Sequence, residues 1–169
     1  MHLEILSTEQ TELLPFLKKY LKQYYLVGGT ALSLHIGHRR SIDFDLFTKG
    51  KVNVPALRKQ VIASGFTSSI IHQEFDQIHF NINNVKLTFY KYPFALAANI
   101  FHENYFHMPD LSTLAAMKAF ALGGRGKWKD ITFLQEYLYG NKAKSVDEAF
   151  SLCGGGVWGT APGQITDDS

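Results

Sequence analysis

Apolar positions recur along this chain at two spacings, and the switches between them mark out the elements. Leu13, Leu14, Leu17 and Leu21 return at helical spacing, with Phe16 beside them. Ser7 and Gln10 stand at capping-box distance ahead of that run. Pro15 suits a first helical turn, where its missing N–H costs little. The pattern therefore predicts a turn after Ser7 and a helix restarting near Pro15. Tyr24 to Val27 then read as a short buried strand running into Gly28-Gly29, and Thr30 to Ile36 as a short helix stopped by Gly37. Ile42-Asp43-Phe44-Asp45-Leu46-Phe47 alternates with strand period. Val54 to Ser64 predict a helix closed by Gly65. Phe66–Gln73, Gln77–Ile82 and Val85–Lys91 predict three strands, the last two joined by an Asn83-Asn84 hairpin turn.

Beyond Pro93 the signal changes. Tyr92 to Met108 is ambiguous, with helical composition in its middle. Asp110 or Ser112 then caps a strong helix carrying Leu114, Met117, Phe120 and Ala121. Gly123-Gly124-Arg125-Gly126 is expected to break it, with a last helix over Lys127 to Leu138. Five of the 14 glycines fall between Gly154 and Gly163, which predicts a flexible tail from about residue 141. The expectation is an α+β fold: a mixed sheet flanked by helices, with C-terminal helices from about residue 110, all within one domain spanning 1–140.

Composition narrows the classes. The chain has 169 residues, 46% of them hydrophobic and 19% charged, as in an ordinary globule. The 13 Phe, 8 Tyr and 2 Trp predict a core built on large rings. A net charge of +2 argues against a generic polycationic nucleic-acid binder and leaves room for a local basic groove. One cysteine, Cys153, forms no internal disulfide, and no apolar run approaches a membrane span. The start Met1-His2-Leu3-Glu4 has no signal-peptide pattern, so a cytoplasmic protein without a membrane partner is expected. The seven histidines include pairs at 35/38, 72/79 and 102/107. None is joined by a cysteine or carboxylate at a structural-zinc spacing.

The stretch from Gly28 to Phe47 carries the chemistry. A strand ends in two glycines that let a ligand approach the backbone, and the helix behind them offers free N–H groups suited to phosphate. Asp43 and Asp45, two apart on a strand, share one face with Cα atoms roughly 7 Å apart. Such a pair can hold Mg²⁺, which favours hard oxygen ligands shared with substrate phosphates. Each half also has a plain reading: a tight turn, and the solvated side of an edge strand. The order of the two halves, with 13 residues between Gly29 and Asp43, points to phosphoryl or nucleotidyl transfer.

Leu26-Val27-Gly28-Gly29-Thr30-Ala31-Leu32, followed by Gly37-His38-Arg39-Arg40-Ser41-Ile42-Asp43-Phe44-Asp45-Leu46-Phe47, resembles the AbiEii/AbiGii toxin family of nucleotidyltransferases. A second block, Leu114-Ala115-Ala116-Met117-Lys118-Ala119 with Arg125-Gly126-Lys127-Trp128-Lys129-Asp130, extends the likeness over roughly residues 20–140. The resemblance implies a polymerase-beta-like fold and metal-dependent transfer of a nucleotide from a nucleoside triphosphate to an acceptor. RNA, notably tRNA, is the implied acceptor, and an antitoxin the implied protein partner. It implies that Gly28, Gly29 and Thr30 cradle the triphosphate and that Asp43 and Asp45 bind Mg²⁺. Lys118 would face the triphosphate, and Lys129 and Asp130 would complete the pocket wall.

Arg39 and its neighbours His38 and Arg40 either contact phosphate or solvate the loop, and Ser41 either orients Asp43 or caps that loop. Nucleotidyltransferases of this kind usually add a third carboxylate from a later strand. The matching stretch Val85 to Tyr90 has none, and Phe133 stands where the family's last helix carries a second Asp. The acceptor's proton is then left to a metal-bound hydroxide, to Asp130 or to the substrate. The alternative is a binding module of the same fold without turnover.

Overall fold

A computed structural model describes residues 1–94, 101–103 and 106–125. Among the described residues four α-helices and seven strands follow one another: α1 (Thr8–Leu17), β1 (Tyr25–Val27), α2 (Gly28–Ile36), β2 (Phe44–Thr48), α3 (Val54–Ala63), β3 (Ser68–Glu74), β4 (Gln77–Ile82), β5 (Val85–Lys91), β6 (Phe101–Glu103), β7 (Phe106–Met108) and α4 (Leu111–Arg125). The fold is α+β, as the pattern predicts. Its main sheet has the order β1-β2-β5-β4-β3 and is mixed: β2 and β5 are parallel, and every other neighbouring pair is antiparallel. Asn83 and Asn84 both take positive φ, which turns the β4–β5 hairpin with the right-handed twist of its strands. Among the described residues no helix is long and apolar enough to cross a membrane.

Alternation along the strands separates two faces. Phe44, Leu46, Ile78, Phe80, Ile82, Leu87 and Phe89 are buried on one face, in one core cluster with apolar residues of α1, α2 and α3. Phe89 sits among rings, with Tyr20, Tyr24 and Phe80 all edge-on to it at 5.0–6.3 Å between centroids. Such edge-to-face pairs add about 0.5–1.5 kcal/mol each beyond area burial. The other face is polar, carrying Asp45, Lys86, Thr88, Gln77, His79 and Asn81.

Several boundaries differ from the sequence pattern. Helix α1 runs unbroken from Thr8 with Pro15 inside it, where a restart near Pro15 is expected. Both halves of the Ser7–Gln10 capping box form and fix the start, and Pro15 falls in the last turn, where it removes one hydrogen bond close to the end. Helix α2 begins at Gly28 rather than Thr30. Strand β2 begins at Phe44, leaving Asp43 just ahead of it. Helix α4 starts at the Asp110 cap, whose carboxylate accepts from Thr113 N at 2.7 Å, and continues through Gly123 and Gly124 to Arg125. Glycine lowers helix propensity by about 1 kcal/mol but does not clash with a helix. In the ambiguous stretch before α4, β6 and β7 pair antiparallel with His102 opposite His107. The expected last helix and the glycine-rich tail lie outside the described residues.

Candidate functional site

The site is built where β1 hands over to α2. Gly28 has φ +73°, a conformation that strains any L side chain, and a Cβ placed there would lie 2.5 Å from Asp45 Oδ2. Only glycine lets the turn lie against that carboxylate. A Cβ on Gly29 would meet Ser41 Oγ at 3.0 Å and the Arg39 guanidinium at 3.7 Å. The two glycines thus touch the carboxylate strand on one side and the 38–43 loop on the other. Val27, at the N-cap of α2, supplies no side-chain cap, so no capping side chain occupies the amides of the first turn. This geometry brings Gly28, Gly29, Arg39, Ser41 and Asp45 together.

Thr30 and Ser41 act on the loop itself. The Thr30 hydroxyl donates to the Asp43 backbone carbonyl and lies 3.0 Å from Ser41 Oγ, so the contact between the two hydroxyls uses Ser41's proton. Thr30 is buried, and its hydroxyl is committed to holding the backbone beside Asp43. Ser41 is held in turn by Gln10, whose Nε2 donates to the Ser41 carbonyl at 2.9 Å. Gln10 is 1% exposed. It belongs to the site's support although its sequence signal marks only a capping box. Arg39 is exposed and donates from Nε to His38 Nε2 at 3.1 Å.

Asp45 stands between Gly28 and Thr88, its partner across β2 and β5. Burial pushes its carboxyl above the ordinary aspartate range, and the neighbouring Asp43 charge adds to the rise. The Thr88 hydroxyl, Lys86 and Lys118 oppose it. Thr88 Oγ1 is buried beside Asp45, near enough to favour the carboxylate but short of full hydrogen-bond geometry. Lys118 is brought towards Asp45 from α4. Lys129 and Asp130 lie outside the described residues.

A carboxylate that is desolvated and faces a like charge gains most from a hard divalent cation, so Asp43 and Asp45 could hold Mg²⁺. Among the described residues no group of three His, Cys, Asp or Glu gathers as a ready metal cage. Strand β5 places Thr88, not an acid, abreast of Asp45.

Residues 16–99, half of the chain, match the family model "Nucleotidyl transferase AbiEii toxin, Type IV TA system". The chain belongs to the AbiEii nucleotidyltransferase family. A curated relative from Aquifex aeolicus (strain VF5), the uncharacterized protein aq_aa25, is 33% identical over 112 residues, which cover 63% of this chain and 53% of that protein. The chain thus spans about half the length of that relative. Two solved structures share the fold of this AbiEii member. JHP933 from Helicobacter pylori matches with a TM-score of 0.56 at 17% identity, over 80% of this chain and 68% of its own. The Megavirus polyadenylate synthase matches with a TM-score of 0.54 at 13% identity, over 75% of this chain and 29% of its own. The AbiEii match includes α2, β2 and β5, the elements that surround Asp45.

Proposed function

We propose that this chain is a metal-dependent nucleotidyltransferase that moves a nucleotide from a nucleoside triphosphate onto RNA, such as tRNA, and that it works as the toxin of a toxin–antitoxin pair. The observation that carries the reading is the contact of the Gly28–Gly29 turn with Asp45 on one side and with Arg39 and Ser41 on the other. It supports reading the turn as a phosphate cradle flanked by a cation and lying against a carboxylate. The family match supports the toxin role and an antitoxin partner.

In this reading the α2 amides and Arg39 bind the β- and γ-phosphates. Asp43 and Asp45 hold Mg²⁺, which supplies Lewis-acid stabilisation of the triphosphate when bound. Lys118 faces the charge that develops on departing pyrophosphate. The acceptor oxygen forms a bond to the α-phosphorus while the bond from that phosphorus to the bridging oxygen breaks. Pyrophosphate leaves, and the hydroxyl proton passes to a phosphate oxygen of the substrate, because Thr88 is no base. Positioning and electrostatics do the work.

The presence of Thr88 in place of an acid favours a second reading, a nucleotide-binding module without turnover. One assay separates the two. The protein is incubated with Mg²⁺, bacterial total RNA and each α-labelled nucleoside triphosphate in turn, then resolved on a denaturing gel. Labelled RNA that disappears with Asp43→Asn/Asp45→Asn is expected. No label in RNA with any of the nucleotides would leave the binding module.

A further inference from the structure

Helices α2 and α4 pack side by side, and the two ends of the pair are tied differently. At the far end of α2, the His35 ring donates from Nε2 to the Pro109 carbonyl at 2.9 Å, across 74 residues of chain. Pro109 is buried and stands between β7 and the Asp110 cap of α4. Its carbonyl precedes the helix and lies outside the helix's own ladder of bonds, so its donor has to come from elsewhere. The histidine pair at 35/38 is thereby split: His38 accepts from Arg39, and His35 turns to Pro109.

The other end is the site. Gly28, which opens α2, lies against the Asp45 carboxylate, and Lys118 of α4 favours the charge on that same carboxylate. His35 closes α2 and Pro109 leads into α4, so the two helices run antiparallel, with a joint at one end and reactive groups at the other. At the rise of an α-helix, Gly28 is about 10 Å from the joint and Lys118 about 13 Å from it. A tilt of about 10° at the joint therefore swings Lys118 by about 2 Å. A displacement of that size at a charged group harms a reaction far more than loss of one neutral hydrogen bond harms folding.

We propose that His35 is a positioning residue for the transfer reaction: its bond to Pro109 sets the angle between α4 and α2 and so holds Lys118 at the phosphate cradle. The proposal rests on the transferase reading for what Lys118 does. His35 itself touches no reacting group. A histidine that only filled space could be exchanged for another side chain of its bulk, whereas one that positions needs its donor, and its loss is felt through Lys118.

The test uses the full chain and two probes with Mg²⁺: an α,β-methylene nucleoside triphosphate and the matching nucleoside monophosphate. His35→Leu keeps the bulk and removes the donor. It weakens the triphosphate about fivefold and leaves the monophosphate within about twofold, because Lys118 serves the pyrophosphate end. In a Lys118→Met background the same change costs less than about twofold, since the group it positions is gone. His35→Gln also gives up the ring's bond, shows the same pattern and replaces the leucine variant if that one fails to fold. Equal losses in the two backgrounds, or equal losses for the two nucleotides, overturn the proposal. Wild-type protein that binds no triphosphate overturns it together with the transferase reading. Coupled losses in a protein that labels no RNA keep the positioning role and remove the transferase reading. Labelled RNA from the wild type, with losses that simply add, does the reverse.

Discussion

Asp45 shows how one residue can serve a reaction at the fold's expense. Its folded pKa is raised, so the ionised form is the one that folding disfavours. The deficit is present in full above the folded pKa and vanishes as pH falls to the unfolded value near 3.8. Asp45→Asn is therefore expected to raise the melting temperature at pH 7 while cutting transfer at least about a hundredfold. Its advantage over the wild type should shrink between pH 7 and pH 4 in parallel thermal melts. An Asn variant that melts lower than the wild type at pH 7 would mean the carboxylate is well satisfied without a cation. His35 has the opposite sign of charge. Burial lowers its pKa below 6.5, while its Nε2 donates to the Pro109 carbonyl at 2.9 Å. The unfolded chain then protonates first, so stability present above pH 6.5 is lost as pH falls towards the folded pKa. His35→Gln should flatten that stretch of the melting curve against pH, at the cost of the neutral hydrogen bond.

At the scale of elements, the Gln10 side chain ties α1 to the site. Ser7→Ala removes the cap alone and should cost about 1 kcal/mol by chemical denaturation, with nucleotide KM unchanged. Gln10→Ala removes its half of the capping box and also frees the Ser41 carbonyl. It should cost about as much again and raise nucleotide KM several-fold. Equal KM values in the two variants would show that the 38–43 loop holds itself. The capping box was legible in the sequence because it is local, with donor and acceptor three residues apart. The link from Gln10 to Ser41 was not, because it spans 31 residues and depends on how α1 docks. The same divide runs through the rest of the chain. Strands β4 and β5 could be read to the residue, because strict alternation and an Asn-Asn turn agree. Pro15 misled, since a proline's cost depends on which turn it falls in, and the sequence pattern leaves that open. Asp43, Asp45 and the glycine pair were readable from their order along the chain. The β5 strand was seen to lack an acid, but only the register shows that Thr88 faces Asp45 and that Lys86 and Asn81 pair beside it.

At the scale of the whole molecule, the sheet is finished at one end and bare at the other. β1 packs against β7, whereas β3 is an edge strand, exposed along its whole length, with a register shift between Ile70 and His72. Ile70 and Ile71 are exposed on it, and Phe75, at the following turn, is 85% exposed. Bulged edges discourage pairing, while exposed β-branched and aromatic side chains invite it. Ile71→Lys with Phe75→Ser is expected to reduce concentration-dependent self-association in sedimentation runs without moving the melting temperature by more than about 1 °C, because neither side chain is in the core. The Gln10–Ser41 tether has a consequence in time as well. The β4–β5 hairpin joins residues close together along the chain, contacts that a collapsing chain finds early, while the 38–43 loop is set only after α1 has docked across 31 residues. A refolding chain should therefore protect the β4–β5 amides from hydrogen exchange before those of the 38–43 loop, an order that pulse labelling would read out directly.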